Sequence, residues 1–409
     1  MTRLQQKFTI LLFAGCILTF PLLAQEATTN SLSPISAQKE AQVVTKEEAS
    51  QKSAERAVST EEAAKGENKN EPQEGVSSTE AEDITQAEDR PPRKELDIHI
   101  PEHIHIQKYL TDYQKPFGVR WLTAVLETGA PYRMYARQQL TLHNMPTSLE
   151  YLPVVESEYK VSAKSSSGAL GIWQFMENSI RPFLEKNQWI DERLDPWKST
   201  DAAIKKLQDN YNMFGDWALA LAAYNYGAGG LKRVIKASGG VDNFWDLADQ
   251  ERLSNQTILY VPKFLAVAEI VTNQDYYGLD FPEVTEADLI QWDEVTTKRS
   301  VPLKMLAKEM NIDVSILKFL NPALILGRTP PAMEYTMRVP LGTKEEVEKI
   351  ISKMVLPTYE HTYTVVKGDT LWGISRRYGL TVTDICDANN LQEKAILPIG
   401  KTLYIPIME

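Results

Sequence analysis

The sequence predicts a mainly α-helical body over residues 97–275, followed by small α+β units of βααβ order, and three observations carry that prediction. Apolar residues between 97 and 275 recur at helical steps of three and four, and no run there alternates for long enough to make a convincing strand. The C-terminal third changes character. Tyr363-Thr364-Val365-Val366, a Gly368-Asp369 turn, two short helical runs and Thr402-Leu403-Tyr404-Ile405 describe two strands enclosing two helices. A weaker copy precedes this unit at a constant offset. Leu303, Leu306, Met310, Ile312, Val314, Leu317, Leu320 and Asn321 align with Leu371, Ile374, Tyr378, Leu380, Val382, Ile385, Ala388 and Asn389, and Val339-Pro340 echoes Ile405-Pro406. The copies differ in their first turn, because Arg299-Ser300-Val301-Pro302 stands where the second has Lys367-Gly368-Asp369-Thr370.

Taken in order, residues 1–24 read as an export signal: basic Arg3 and Lys7, then an apolar run from Phe8 to Leu23. Two processing routes fit it. Phe13-Ala14-Gly15-Cys16 matches a lipoprotein box, which would attach the chain to a membrane through a lipidated Cys16, and Leu22-Leu23-Ala24 fits ordinary cleavage; retention as an uncleaved anchor is a third outcome. Residues 25–96 are rich in Ala, Glu, Gln, Ser, Thr and Lys and read as a disordered acidic tether. With a formal charge of -11 and no basic patch, the chain is not expected to bind nucleic acid. The cysteines are Cys16 and Cys386, so no structural disulfide is expected. His99, His103 and His105 alternate with Ile at a helix start, and neither a metal nor a cofactor is expected.

A helical support region is expected over 97–146, with helices at His103–Tyr113, Phe117–Glu127 and Pro131–His143, the apolar stripe broken by Gly129 and Pro131. Helical spacing resumes at Ser179–Lys186. A helix capped by Ser199 or Thr200 runs to Met213, an Ala-rich one spans Trp217–Tyr226 and stops at Gly227, and another covers Ser254–Thr272.

Within 147–275 the stretch Leu149 to Gln174 carries the chemistry. Thr147 and Glu150 fit a capping box, which places Leu149, Leu152 and Glu156 near one helix face. A carboxyl group on an apolar face has its charged form disfavoured and its pKa raised, which keeps it protonated for acid catalysis near neutral pH. An exposed or salt-bridged glutamate is the alternative. A polar Ser/Gly loop and Gly168-Ala169-Leu170-Gly171-Ile172-Trp173-Gln174 follow.

Four motifs in order, Glu156-Ser157, Gly168 to Gln174, Ala223-Tyr224-Asn225 and Leu259-Tyr260-Val261-Pro262-Lys263, resemble the catalytic domain of soluble-type lytic murein transglycosylases. The whole layout resembles the membrane-bound D type with C-terminal LysM modules. The resemblance implies a lysozyme-like α-helical catalytic domain at 147–275, a degenerate LysM-like module at 290–342, a linker at 343–360 and a glycan-binding LysM module at 361–407. It implies cleavage of the β-1,4 bond between N-acetylmuramic acid and N-acetylglucosamine in peptidoglycan strands, with Glu156 first as acid and then as base, leaving 1,6-anhydro ends. Ser157, Ser165, Gly168, Trp173, Gln174, Tyr224, Asn225 and Tyr260 would bind substrate. Backbone at Gly168 and Gly171 would approach the sugar, and Tyr224 or Tyr260 would bring a hydroxyl near Glu156. Gly368, Asp369, Thr370, Leu371, Asn389 and Ile399 would form the LysM glycan site, and the degenerate module would be a scaffold or spacer. Tyr226 and Trp173 depart from the family pattern. A hydrolytic muramidase of the same fold and an inactive peptidoglycan-binding scaffold are the competing readings.

Overall fold

The structure, a computed structural model, describes residues 90–407 apart from 332 and 357. The signal region, Cys16 and most of the acidic tether lie outside the described residues.

The helical body begins with α1 (Ile104–Gln114) and α2 (Pro116–Leu142). Two helices were expected where α2 runs unbroken for 27 residues through Pro131. Tertiary packing overrides the break: a Cβ on Gly129 would lie 2.5 Å from the Tyr159 ring, so that glycine marks a close approach to the helix and not its end. A 3-10 turn at Thr147–Tyr151 leads into the six-residue α3 (Leu152–Ser157). The expected capping box is absent. The Thr147 N–H and hydroxyl both donate to Asp97, and Glu150 is buried in ion pairs with Arg133 and Arg137 from α2. These partners are distant in sequence, so local pattern does not reveal them.

The stretch 179–186 forms turns, not a helix; only Glu177–Ser179 makes a short 3-10 turn. Helix α4 (Pro196–Phe214) starts three residues before its expected cap because Asp195 accepts from the Trp197 and Lys198 N–H groups at 3.1 and 2.9 Å, and Gly215 at φ 70° ends it. Helix α5 (Trp217–Tyr226) is buried from Ala218 to Tyr224, as a helix apolar on all sides must be. Then come α6 (Ala228–Ala237), α7 (Phe244–Asp249) and α8 (Asn255–Thr272), the last capped by Ser254 and packed on α1, α3 and α5.

Order also starts earlier than expected. Arg93 pairs with the buried Glu269 on α8, and the Lys94 N–H donates to Asn273 Oδ1 at 2.7 Å, so the last residues of the presumed tether are strapped to the helical body. A buried carboxylate without a cation would be costly, and Arg93 supplies it.

The first βααβ module comprises β1 (Trp292–Thr297), α9 (Leu303–Glu309), α10 (Val314–Leu320) and β2 (Tyr335–Pro340), with β1 antiparallel to β2. Residues 343–360, expected as a linker, instead form α11 (Lys344–Lys353), whose Val347 and Ile351 are buried in the core of this module, and then enter the next strand. The second module is β3 (Thr358–Thr364), α12 (Leu371–Arg377), α13 (Val382–Asn389) and β4 (Thr402–Ile407), with β3 antiparallel to β4. The aligned asparagines do the same work in both copies. Asn321 binds the Leu317 and Arg338 carbonyls and the Arg338 N–H, while Asn389 binds the Ile385 and Tyr404 carbonyls and the Tyr404 N–H.

Candidate active site

Glu156 sits near the end of α3, where the chain turns through two left-handed residues, Glu158 at φ 54° and Tyr159 at φ 56°. That turn is held on both sides. The Tyr159 ring lies against Gly129 and its hydroxyl donates to the Glu150 carbonyl, while Ser157 Oγ donates to the Ile172 carbonyl at 2.8 Å. Glu156 is partly buried, and its carboxyl lies among Tyr260, Lys206 and Lys263, the groups that define the candidate cleft. Burial pushes its pKa up to about 7, against the opposing pull of the Tyr260 hydroxyl and the Lys206 and Lys263 ammonium groups.

Tyr260, on α8, donates to Glu156 Oε1 at 2.5 Å. Burial and the neighbouring carboxylate hold this phenol well above its ordinary pKa, so it stays a donor. With Oε1 accepting that bond, the proton of neutral Glu156 belongs on Oε2, free for a bound substrate.

The loop after α3 is held in shape by its own side chains and by Arg193. Gly168, at φ 88° with open space where a side chain would go, makes the turn at its tip. Ser165 Oγ accepts from the Ala169 N–H at 3.0 Å, and Gln174 Nε2 donates to the Ala163 and Gly171 carbonyls at 3.0 and 2.8 Å. The buried Arg193, paired with Asp191, donates to the Gly168 and Phe175 carbonyls from behind.

Several expected contacts are corrected by this geometry. Trp173 offers no face to a ligand: it is 1% exposed, and its Nε1–H donates to Thr200 Oγ1 at 2.8 Å. Ser157 and Gln174 direct their donors to backbone carbonyls and so shape the loop. A Cβ on Gly171 would meet the Arg193 carbonyl oxygen at 1.8 Å, so that glycine admits protein backbone and not sugar. The Tyr224 hydroxyl donates to the Trp173 carbonyl at 2.9 Å, which makes it a brace between α5 and the loop, whereas Tyr260 is the tyrosine that reaches Glu156. Asn225 Oδ1 accepts from Thr257 Oγ1 at 3.0 Å, which ties the end of α5 to α8 and leaves the amide N–H groups without a hydrogen bond to the described residues.

In the second module Asp369 accepts from the Val366 N–H and the Tyr363 hydroxyl at 2.8 and 2.7 Å, Thr370 caps α12, and Leu371 and Asn389 are buried. These hydrogen bonds shape the first loop, while Leu371 and Asn389 belong to the core beneath it. Gly368, at φ 92°, makes the first turn. Ile399 is exposed as expected, and Val366, Trp372 and Ile396, which the motifs did not single out, are exposed with it at 54%, 64% and 92%. The Gly400 N–H donates to the Val365 carbonyl at 2.8 Å, so the loop carrying Val366, which leads into α12 and Trp372, lies beside the loop carrying Ile396 and Ile399. Their signal was present: apolar residues, three in loops and Trp372 at the start of α12, that a small core does not need.

Comparison with known proteins agrees with this geometry. Residues 134–244 match the Transglycosylase SLT domain, 291–353 the Lytic transglycosylase MltD, LysM-like domain, and 363–406 the LysM domain. Membrane-bound lytic murein transglycosylase D of Escherichia coli strain K12 is 33% identical over 331 residues, covering 76% of this chain and 71% of the relative. The chain belongs to the membrane-bound lytic murein transglycosylase D family. A putative tributyltin chloride resistance protein of an Alteromonas species is 34% identical across 31% of this chain and 59% of its own. A probable N-acetylmuramidase of Lactococcus lactis subsp. cremoris strain MG1363 is 57% identical over 44 residues, covering 11% of this chain and 10% of the relative. Within the transglycosylase D family layout, the site described above lies in the helical body, and the modules follow it.

Proposed function

We propose that this lytic transglycosylase opens the β-1,4 bond between N-acetylmuramic acid and N-acetylglucosamine with Glu156 as its single proton carrier. The observation that carries the reading is a carboxyl group with a pKa pushed up to about 7 and, among the described residues, hydrogen-bonded at Oε1 by Tyr260. Protonated at Oε2, Glu156 gives its proton to the glycosidic oxygen as the bond to the anomeric carbon breaks. The carboxylate left behind then takes the proton of the muramoyl 6-hydroxyl as that oxygen attacks the anomeric carbon. The proton returns to where it began, a 1,6-anhydro end forms, and no water is consumed. A pKa near the working pH suits both halves of the cycle.

Most glycosidases need a second flanking carboxylate. Here Glu158 follows in a left-handed turn and is paired with Lys160 at 2.6 Å, an arrangement that supports the one-carboxylate scheme over a hydrolytic one. In this reading Asn225 and the loop tip at Gly168 contact the sugar, and the exposed Val366, Trp372, Ile396 and Ile399 hold glycan strands. The membrane-bound description of the E. coli relative and the Ala14-Gly15-Cys16 sequence support export and attachment through a lipidated Cys16. The mass of the mature N-terminus tests that attachment.

Replacing Glu156 by Gln keeps the shape and removes the proton. We expect Glu156→Gln to digest purified sacculi about 10²-fold to 10⁴-fold more slowly than wild type; equal digestion would remove Glu156 from the mechanism. Because the protonated form starts the cycle, wild-type kcat/KM should fall as pH rises through about 7.

A further inference from the structure

Two lysines stand in the cleft beside Glu156, and their surroundings differ. Lys263, on α8, has its ammonium 5.9 Å from the Trp121 ring centroid and lies within electrostatic reach of Glu158 as well as Glu156. Glu158 is held below the ordinary carboxylate range by its bond to Lys160, so Lys263 has an anionic neighbour whatever the state of Glu156. Lys206, on α4, is placed otherwise. Its ammonium sits 4.7 Å from the Tyr224 centroid and 5.2 Å from the Phe175 centroid. Among the described residues it makes no ion pair within 4.0 Å, and Glu156 is the one charged group that supports its charge against burial.

When Glu156 is protonated, as the first step requires, Lys206 is therefore a partly buried cation resting on two aromatic faces with no carboxylate of the described residues paired to it. Ring faces attract an ammonium group but stabilise it by only about 0.5–2 kcal/mol, and a buried cation without an anion is half of an ion pair. Murein supplies the other half. Each muramoyl unit carries a lactyl arm ending in a carboxyl group, free where the peptide has been removed and amide-linked where it remains, and the stem peptide carries carboxylates of its own.

We propose that Lys206 is a specificity-determining residue that receives a substrate carboxylate, from either the free lactyl arm of a peptide-free muramoyl unit or the stem peptide. The inference rests on the cleft being the murein site, as read above. Its charge would then select strands by their state of peptide trimming, a property separate from the bond-breaking step. Lys263, already matched by Glu158, has no such vacancy for an anion.

The test uses the full chain with three soluble glycans: peptide-bearing, peptide-free with the lactyl carboxylate, and peptide-free with that carboxyl amidated. Direct binding to Glu156→Gln, with and without Lys206→Met, is measured alongside KM and kcat of the single variants. Lys206→Met should weaken binding and raise KM about tenfold or more for a carboxylate-bearing glycan, leave the amidated one within about twofold, and Lys206→Arg should restore most of the loss. Loss confined to the peptide-bearing strand assigns the stem peptide; loss on the peptide-free strand assigns the lactyl arm. Equal loss on all three glycans, no loss on any, or an upward shift of the pH limb with KM unchanged would overturn the proposal. A separate failure, wild-type activity in Glu156→Gln, would instead overturn the reading of the site.

Discussion

The two βααβ modules share a core and differ at their loops, and the difference shows how one small fold serves two ends. In the first module the loops are laced together. Val301 N–H donates to Thr329 Oγ1 at 2.9 Å, Thr329 N–H donates to the Val301 carbonyl at 3.1 Å, and Ser300 Oγ donates to the Thr329 carbonyl at 2.9 Å. The second module touches the first beside these loops, with Asn390 Nδ2 donating to the Ile325 carbonyl at 3.2 Å and Lys304 pairing with Asp387 at 2.7 Å. On its other side the first module is fastened to the helical body. Arg338 Nη1 meets Asp195 Oδ2 at 2.6 Å, and its guanidinium lies 5.0 and 4.7 Å from the Trp197 and Trp292 centroids. Asp195 also caps α4, which carries Thr200 and Lys206. The first module therefore buttresses a wall of the cleft, whereas the second keeps Val366, Trp372, Ile396 and Ile399 in solvent.

Two substitutions put that contrast at risk. The larger effect belongs to Arg338→Met, which leaves Asp195 buried at 1% exposure without its cation. We expect a loss of about 3–5 kcal/mol in unfolding free energy, read from denaturant melts. A loss below about 0.5 kcal/mol, the range for ordinary surface changes, would mean that the module is not fastened as described. The smaller effect belongs to Trp372→Ala. Its fold should be unchanged while its affinity for sacculi drops about tenfold, equivalent to about 1.4 kcal/mol. Undiminished pull-down would place the glycan surface elsewhere.

The repeat that separates these modules was readable because core positions are periodic. Leu306 and Ile374, or Leu317 and Ile385, are fully buried pairs at matching places. Helices α5 and α8 were readable for the same reason, each bounded by a local signal, Gly227 in one and Ser254 in the other. The helix α11 was missed although Val347, Ile350, Ile351 and Met354 carry the spacing, because its many charges resemble a solvated segment.

Of the site, the placing of Glu156 on an apolar helix face was legible from spacing, whereas motif order left Tyr224 and Tyr260 as alternative candidates for the neighbouring hydroxyl, and only the fold separates them. The partners of Ser157, Trp173 and Gln174 were not legible. A side chain's hydrogen-bonding capacity is written in its chemistry, but whether a sugar or a backbone carbonyl meets it depends on a loop path set by Arg193, Gly171 and Tyr224 together. Lys206 was hidden for a related reason. A lysine on an amphipathic helix reads as a solvated residue until the rings beneath it are known.

In the proposed reaction a single carboxyl group recovers its proton from the substrate's own hydroxyl. Mass analysis of the soluble products of sacculus digestion tests this most directly. Muramoyl ends lighter by one water than reducing ends are the predicted result, and reducing ends carrying that water would contradict it.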